Sequence, residues 1–177
     1  MINVLLVIAS VVAILLTIAF FAPKNYSLSR NILINAPANV VFDYISHIKN
    51  QDHFSKWVMT DPNMNKSFRG TDGTVGFVYA WEGNKKAGKG EQEITRIKAS
   101  EQLDIEVRFE KPFRSVAQTP FRVEATGENQ SKVTWGMSSR MNYPMNLMLL
   151  FVNMDGMLGK SMEESLELLK GILEEKK

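Results

Sequence analysis

The chain has 177 residues, 45% hydrophobic and 23% charged, with no cysteine and a formal net charge of +2. That apolar content excludes a disordered chain, the lack of cysteine excludes a disulfide scaffold or cysteine–zinc module, and the small net charge gives no ground for nucleic-acid binding. The average conceals a division: 19 of the first 23 residues are hydrophobic, all 40 charged side chains follow Pro23, and the other 154 residues are 39% hydrophobic.

Residues 2–22 carry no charge, and their only polar side chains are Asn3, Ser10 and Thr17. At about 1.5 Å per residue they make a helix of roughly 31 Å, the thickness of a bilayer's hydrocarbon layer. A cleaved signal peptide needs a basic start and small residues at the cut, whereas Met1-Ile2-Asn3 has no basic side chain and Phe20-Phe21-Ala22 precedes Pro23. A core helix of this length shows a polar face, which is absent here. Residues 1–23 are therefore expected to form a transmembrane anchor and 24–177 a separate domain. Lys24 and Arg30 precede the first acid, Asp43, so the domain is expected on the cytoplasmic side. Three Asn-x-Ser triplets begin at Asn25, Asn65 and Asn129, which a chain with 13 asparagines supplies by composition alone.

After the span, 27–35 reads as a strand. Pro37 suits the first position of a helix whose apolar stripe is Val41, Phe42, Ile45 and Ile48, ending near Asn50. A short helical turn is expected at 54–58. Glycines 70, 73, 76, 83, 88 and 90 then punctuate strands at 75–81, 89–98, 103–110, 115–126 and 132–141, with a weaker one at 66–69. The short connections imply an antiparallel meander. Leu103, Ile105, Val107 and Phe109 alternate with Asp104, Glu106, Arg108 and Glu110, the pattern of a sheet with one dry and one wet face. A helical stretch is expected at 145–154, interrupted by Asp155-Gly156. Leu158, Met162, Leu166, Leu169 and Leu173 then form the apolar stripe of a long C-terminal helix. The fold class is α+β: a curved antiparallel β-sheet wrapped around a long C-terminal helix, plus one N-terminal transmembrane helix.

Several short segments stand in a distinctive order and spacing. Ile34-Asn35-Ala36-Pro37 leads into the first helix, which contains Phe42, and Trp57 follows in the second. Tyr79-Ala80-Trp81-Glu82-Gly83-Asn84 precedes Gly88-Lys89-Gly90-Glu91, Lys111-Pro112-Phe113 follows the next strand, and Val133-Thr134-Trp135 sits on the last. Asp155, Leu158-Gly159-Lys160 and Leu166-Glu167-Leu168-Leu169-Lys170 close the chain. Together these segments resemble the polyketide cyclase-like branch of the START/birch-pollen-allergen superfamily, the helix-grip fold. The resemblance spans about residues 27–175. It implies a hydrophobic cavity between the sheet and the C-terminal helix that takes lipids, polyketides, hormones or other apolar molecules; many members only bind.

The aromatic side chains Phe54, Trp57, Phe77, Tyr79, Trp81, Phe109, Phe121 and Trp135 are expected to point mostly inward, as cavity wall or as core. Seven of the ten methionines lie between Met137 and Met162; with the resemblance, Met137, Met154, Leu158 and Met162 become candidate wall residues, the alternative being a plastic core. The apolar run from Met145 to Phe151 is also suited to touch a bilayer. Glu91 and Glu93 share a strand face and would be an acid/base pair if it were inward, although Ile94, of opposite parity, is the more natural inward residue. His47 and His53 lack metal-ligand spacing, and no nucleophile elbow or phosphate loop is present, so neither a metal nor a cofactor is expected. The leading expectation is membrane-anchored, non-covalent binding of a hydrophobic small molecule or lipid, with Tyr79, Arg140 or Glu93 supplying specificity. The alternatives are a cyclase or dehydratase, and a co-chaperone-like module that presents Glu106, Arg108 and Glu110 from a filled core.

Overall fold

The computed structural model describes residues 2–175. Helix α1 (Ile2–Phe21) is followed by β1 (Asn25–Ile34), α2 (Ala38–Ser46), a 3-10 turn (Ile48–Asn50), the one-turn α3 (Gln51–Phe54) and a second 3-10 turn (Val58–Thr60). Strands β2 (Asn65–Arg69), β3 (Val78–Glu82), β4 (Lys89–Lys98), β5 (Gln102–Lys111), β6 (Ser115–Gln118), β7 (Phe121–Gly127) and β8 (Gln130–Arg140) come next. A 3-10 segment (Met145–Leu150) leads into the closing helix α4 (Met154–Glu174).

All eight strands form one antiparallel sheet in the order β1-β8-β6-β5-β4-β3-β2, with β7 between β5 and β8. The first and last strands pair from Asn25↔Arg140 to Ile34↔Ser131. Alternation places Leu103, Ile105 and Val107 of β5 on the inner face, opposite Gln92 and Ile94 of β4 and Val133, Trp135 and Met137 of β8. Helix α4 lays Met162, Leu166, Leu169 and Leu173 into that face, and α2 adds Val41, Phe42 and Ile45. Arg30 of β1 reaches across to Asp155 at 2.9 Å and to Glu163, tying the first turns of α4 to the sheet edge.

Three local expectations change. The segment 115–126 is two strands, because Pro120 has no amide hydrogen for the ladder. Thr119 donates its backbone N–H to Ile105 O, and its side chain turns inward. Helix α2 stops at Ser46, earlier than expected; the chain continues as the 48–50 turn, whose amides at Ile48 and Lys49 are taken by Asp72, and the helical turn then falls at 51–54 rather than 54–58. Asp155-Gly156 does not interrupt a helix. It lies in the first turn of α4, where the Asn153 side chain accepts the Gly156 N–H at 2.9 Å as an N-cap.

Helix α1 is exposed along nearly its whole length; Ala19 alone is buried among its residues. It is long and apolar enough to cross a membrane, with a mean hydropathy of 3.1.

Candidate ligand-binding cavity

Curvature of the sheet away from α4 leaves a cavity of about 250 Å³ between the inner face, the N-terminal half of α4 and the 51–60 segment. This is near the lower end for small-molecule sites, room for about eight waters at ~30 Å³ each or for one compact apolar molecule. Trp57, Trp81, Val107, Phe109, Trp135, Met137, Met154 and Leu158 form the apolar wall. Trp135 stacks on Phe121 at 4.6 Å and meets Trp57 edge-on at 5.2 Å, so the wall continues directly into the core. Trp81 is oriented by its Nε1–H donating to Ala87 O at 3.0 Å and stands edge-on to Phe109.

Of the twelve candidate wall residues, Trp57, Tyr79, Trp81, Phe109, Trp135, Met137, Met154 and Leu158 border the cavity. Phe54, Phe77, Phe121 and Met162 do not; each is at most 1% exposed and packed in the core. They do point inward, Phe77 and Phe121 from the sheet side and Phe54 and Met162 from helices, but other side chains already fill the space before them.

The polar lining consists of Tyr26, Gln51, Ser55, Thr60, Tyr79, Lys86, Gln92 and Thr119. Gln92 is on the same inner face as Ile94, so a polar side chain at an inward strand position was the signal for it. The Gln92 side-chain amide donates to Gln51 Oε1 at 3.1 Å, and the two amides keep spare donor and acceptor capacity. Gln51, Ser55 and Thr119 arrive through the short helix and the Pro120 break, which carry no periodic pattern. The Tyr79 hydroxyl donates to Asp52 Oδ1 at 2.8 Å, and Lys66 Nζ holds the other carboxylate oxygen at 2.8 Å. Burial first, and the Asp52 carboxylate second, push the Tyr79 phenol far above its ordinary value of 10.0. Tyr79 is thus a neutral hydrogen-bonding group with its proton already committed.

Glu91 and Glu93 do not face the cavity. They lie on the outer face of the sheet, where Arg108 of β5 binds Glu91 at 2.9 Å, Glu93 at 2.6 Å and Glu106 at 2.7 Å, and Arg69 adds a second contact to Glu91. The reason is parity: the inward positions of β4 belong to Gly90, Gln92 and Ile94. Arg140 is exposed at the end of β8, outside the cavity, so of the three proposed specificity groups only Tyr79 borders it. His47 Nδ1 contacts Asp43 O, and His53 Nδ1 contacts the Tyr44 hydroxyl; among the described residues no cluster suited to a metal occurs.

The outer cluster makes a stability prediction. Hydrogen bonds from Arg69 and then Arg108 hold Glu91 below its ordinary 4.5, and Arg108 followed by Gln118 does the same for Glu106. A lowered folded pKa contributes stability that is present above the ordinary value and lost as pH falls through the folded one. Arg108→Met is expected to cost about 1–2 kcal/mol near neutral pH, because three carboxylates are left facing each other. That deficit should shrink below about pH 4, as Glu91 and Glu106 take up protons. Thermal unfolding from pH 7 to pH 3 checks it; a pH-independent deficit would mean that the arginine acts by packing alone.

The sequence profile for polyketide cyclase/dehydrase and lipid transport matches residues 26–174. The chain belongs to this family. A search of curated protein sequences gives no match. Among solved structures, norcoclaurine synthase from Thalictrum flavum, solved with dopamine and hydroxybenzaldehyde, is similar with a TM-score of 0.63 at 11% identity, over 88% of this chain and 90% of that one. The protein CV1439 from Chromobacterium violaceum gives 0.58 at 11% identity, over 86% and 98%. The structure of Ara h 8.0201 gives 0.56 at 11%, over 84% and 97%. At these identities the likeness is one of fold. The family assignment and the helix-grip architecture therefore agree, and the cavity of this polyketide cyclase-like chain occupies the space between sheet and closing helix.

Proposed function

We propose that this polyketide cyclase-like protein is a membrane-anchored receptor that binds one compact hydrophobic molecule, or the apolar part of a lipid, without covalent chemistry. The observation that carries the reading is the cavity wall, in which aromatic and methionine side chains dominate and the polar contribution is two facing amides, the hydroxyls of Ser55, Thr60 and Thr119, the phenols of Tyr26 and Tyr79, and a single ammonium, Lys86. Binding is driven by burial of ligand surface at roughly 25 cal/mol per Å², and orientation by hydrogen bonds to Gln51, Gln92 and Tyr79. A structure of the same fold carries an aromatic amine and an aromatic aldehyde, ligands of comparable size. Helix α1 serves as the single membrane span, with the domain on the cytoplasmic side next to Lys24 and Arg30.

A second reading, a cyclase or dehydratase, is favoured by one contact: Tyr79 links the cavity wall to the Asp52 carboxylate by a single hydrogen bond. The candidate carboxylates Glu91 and Glu93 lend it nothing from the outer face. A filled-core co-chaperone module fits poorly with an open wall of this composition.

The test is ligand capture by the full chain purified in detergent. Mass spectrometry of the gently released complex is expected to find an apolar molecule in one-to-one ratio, and the emptied protein to bind anilinonaphthalene sulfonate with a blue-shifted emission. A protein that holds no such molecule and binds no apolar probe overturns the proposal.

A further inference from the structure

The strand register collects one set of features at a single end of the sheet. Pairing of Asn25 with Arg140, Phe109 with Ser115, Lys89 with Lys111 and Glu82 with Lys89 puts four things there together: the start of β1, the end of β8, the 112–114 hairpin and the 83–88 hairpin. Lys86, Ala87, Met154 and Leu158 bound the cavity at this same end. The two hairpins touch closely. Gly88 has φ +67, and a Cβ there would run into Lys111 O, so no residue with a side chain fits without moving a backbone.

Helix α1 ends at this end too, and it is fastened there. Asn146, fully buried in the 145–150 segment, donates its side-chain amide to Ala19 O at 2.6 Å and to Ala22 O at 3.1 Å. The first carbonyl belongs to the last turn of α1 and the second to the residue just after it, where no intrahelical donor remains for either. Met141 N–H donates to Lys24 O at 2.8 Å, which secures the connecting residues as well. The span is therefore joined to the domain by a capped, hydrogen-bonded corner, and the direction of the helix sets the direction of the domain.

Around that corner the surface is apolar where a monomer in water would be polar. Phe20, Phe21, Phe113, Met148, Phe151 and Met157 are 40–81% exposed. Lys85, Lys86, Arg114 and Arg140 stand at the same end and make no ion pair among the described residues. Apolar rings and thioethers inside a fringe of cations suit an interface with anionic headgroups, and the fastened membrane helix leads directly into it.

We infer that this end of the domain is a bilayer-seating surface, clamped to the membrane helix by Asn146, so that the cavity opens toward the lipid rather than toward bulk water. The inference rests on reading α1 as a membrane span. A ligand then passes between bilayer and cavity with little exposure to water, as suits an apolar molecule.

The chain has no cysteine, so single-cysteine variants can be spin-labelled at one site each. The full chain is placed in nanodiscs of phosphatidylcholine with and without phosphatidylglycerol, with labels at Phe113→Cys, Phe151→Cys, Val12→Cys and Glu128→Cys. Accessibility to oxygen and to a water-soluble nickel complex reports depth. Val12 is expected in the hydrocarbon, and Phe113 and Phe151 at interfacial depth, shielded from nickel more strongly with the anionic lipid. Glu128, in the β7–β8 turn at the opposite end, is expected in water. Asn146→Ala, or a Gly-Gly-Ser-Gly insertion after Pro23 that loosens the corner without touching the domain core, should return Phe113 and Phe151 to water while Val12 stays in lipid.

Phe113 and Phe151 in water with Val12 in lipid would overturn the seating surface and leave the anchor standing. Val12 outside lipid would overturn the anchor itself. Shielding from both reagents would mean that a protein or a second copy covers the end, and would overturn the lipid assignment. Depths unchanged by both loosening changes would overturn the clamp.

Discussion

Val107→Trp is expected to abolish binding of an apolar probe while leaving the fold intact. Val107 projects from the centre of β5 into the cavity, between Gln92 on β4 and Ala117 on β6. An indole there intrudes into the middle of a space of about 250 Å³ and takes up a substantial part of it. Filling a void avoids the strain that the same insertion brings in a close-packed core, so the stability change should stay within about 1.5 kcal/mol in either direction. The ligand loses a large part of its buried area. At roughly 25 cal/mol per Å², exclusion of about 150 Å² of apolar surface corresponds to nearly 4 kcal/mol, several hundredfold in affinity. Fluorescence titration of the full chain with anilinonaphthalene sulfonate measures it. Val116→Trp is the control, since Val116 is half-exposed on the neighbouring strand's other face, opposite Arg108. Equal loss in both variants would mean that the probe binds the outer surface, and retained affinity in Val107→Trp would place the site elsewhere.

Trp135→Ala should produce the largest stability loss of any single change in the domain. The ring is 3% exposed and meets three others: Phe121 at 4.6 Å, Trp57 at 5.2 Å and Phe54 at 6.3 Å. Truncation of a buried tryptophan costs about 3–5 kcal/mol, a large share of the 5–15 kcal/mol that holds a typical domain together. Trp135→Phe separates the contributions. The indole N–H has no hydrogen-bond partner among the described residues, so phenylalanine forfeits volume but no polar contact. It should cost about 1–2 kcal/mol, less than half as much. Thermal unfolding of the detergent-solubilised chain, followed by near-ultraviolet circular dichroism, checks both. Equal losses for the two variants would show that the indole nitrogen has a stabilising partner after all.

Much of the architecture was legible in local pattern. A charge-free stretch of about 20 residues, strict two-residue alternation on β5 and a three-to-four-residue stripe on α4 are each consequences of backbone geometry that acts within one element. The same alternation, read with Ile94, already set Glu91 and Glu93 against the inner face. The departures came where a single residue competes with a pattern. Pro120 split a strand that its hydrophobicity continued, and Asp72 stopped α2 from 24 residues away by taking the Ile48 amide.

The cavity was only half legible, for one physical reason. Parity says that a side chain faces inward, but not whether another side chain meets it there. Phe121 and Trp135 read alike along their strands, yet Phe121 is sealed in the core while Trp135 also borders the open space. Gln51 and Thr119 reach the wall through turns without periodicity, and Asn146 sits in an apolar run as one polar residue with no visible purpose until α1 is brought against it. Composition and spacing by themselves determined an apolar N-terminal helix, a two-faced sheet and a closing helix, because those depend on neighbours in the chain. Which inward residues line the void depends on distances between elements remote in sequence, and only the tertiary structure decided it.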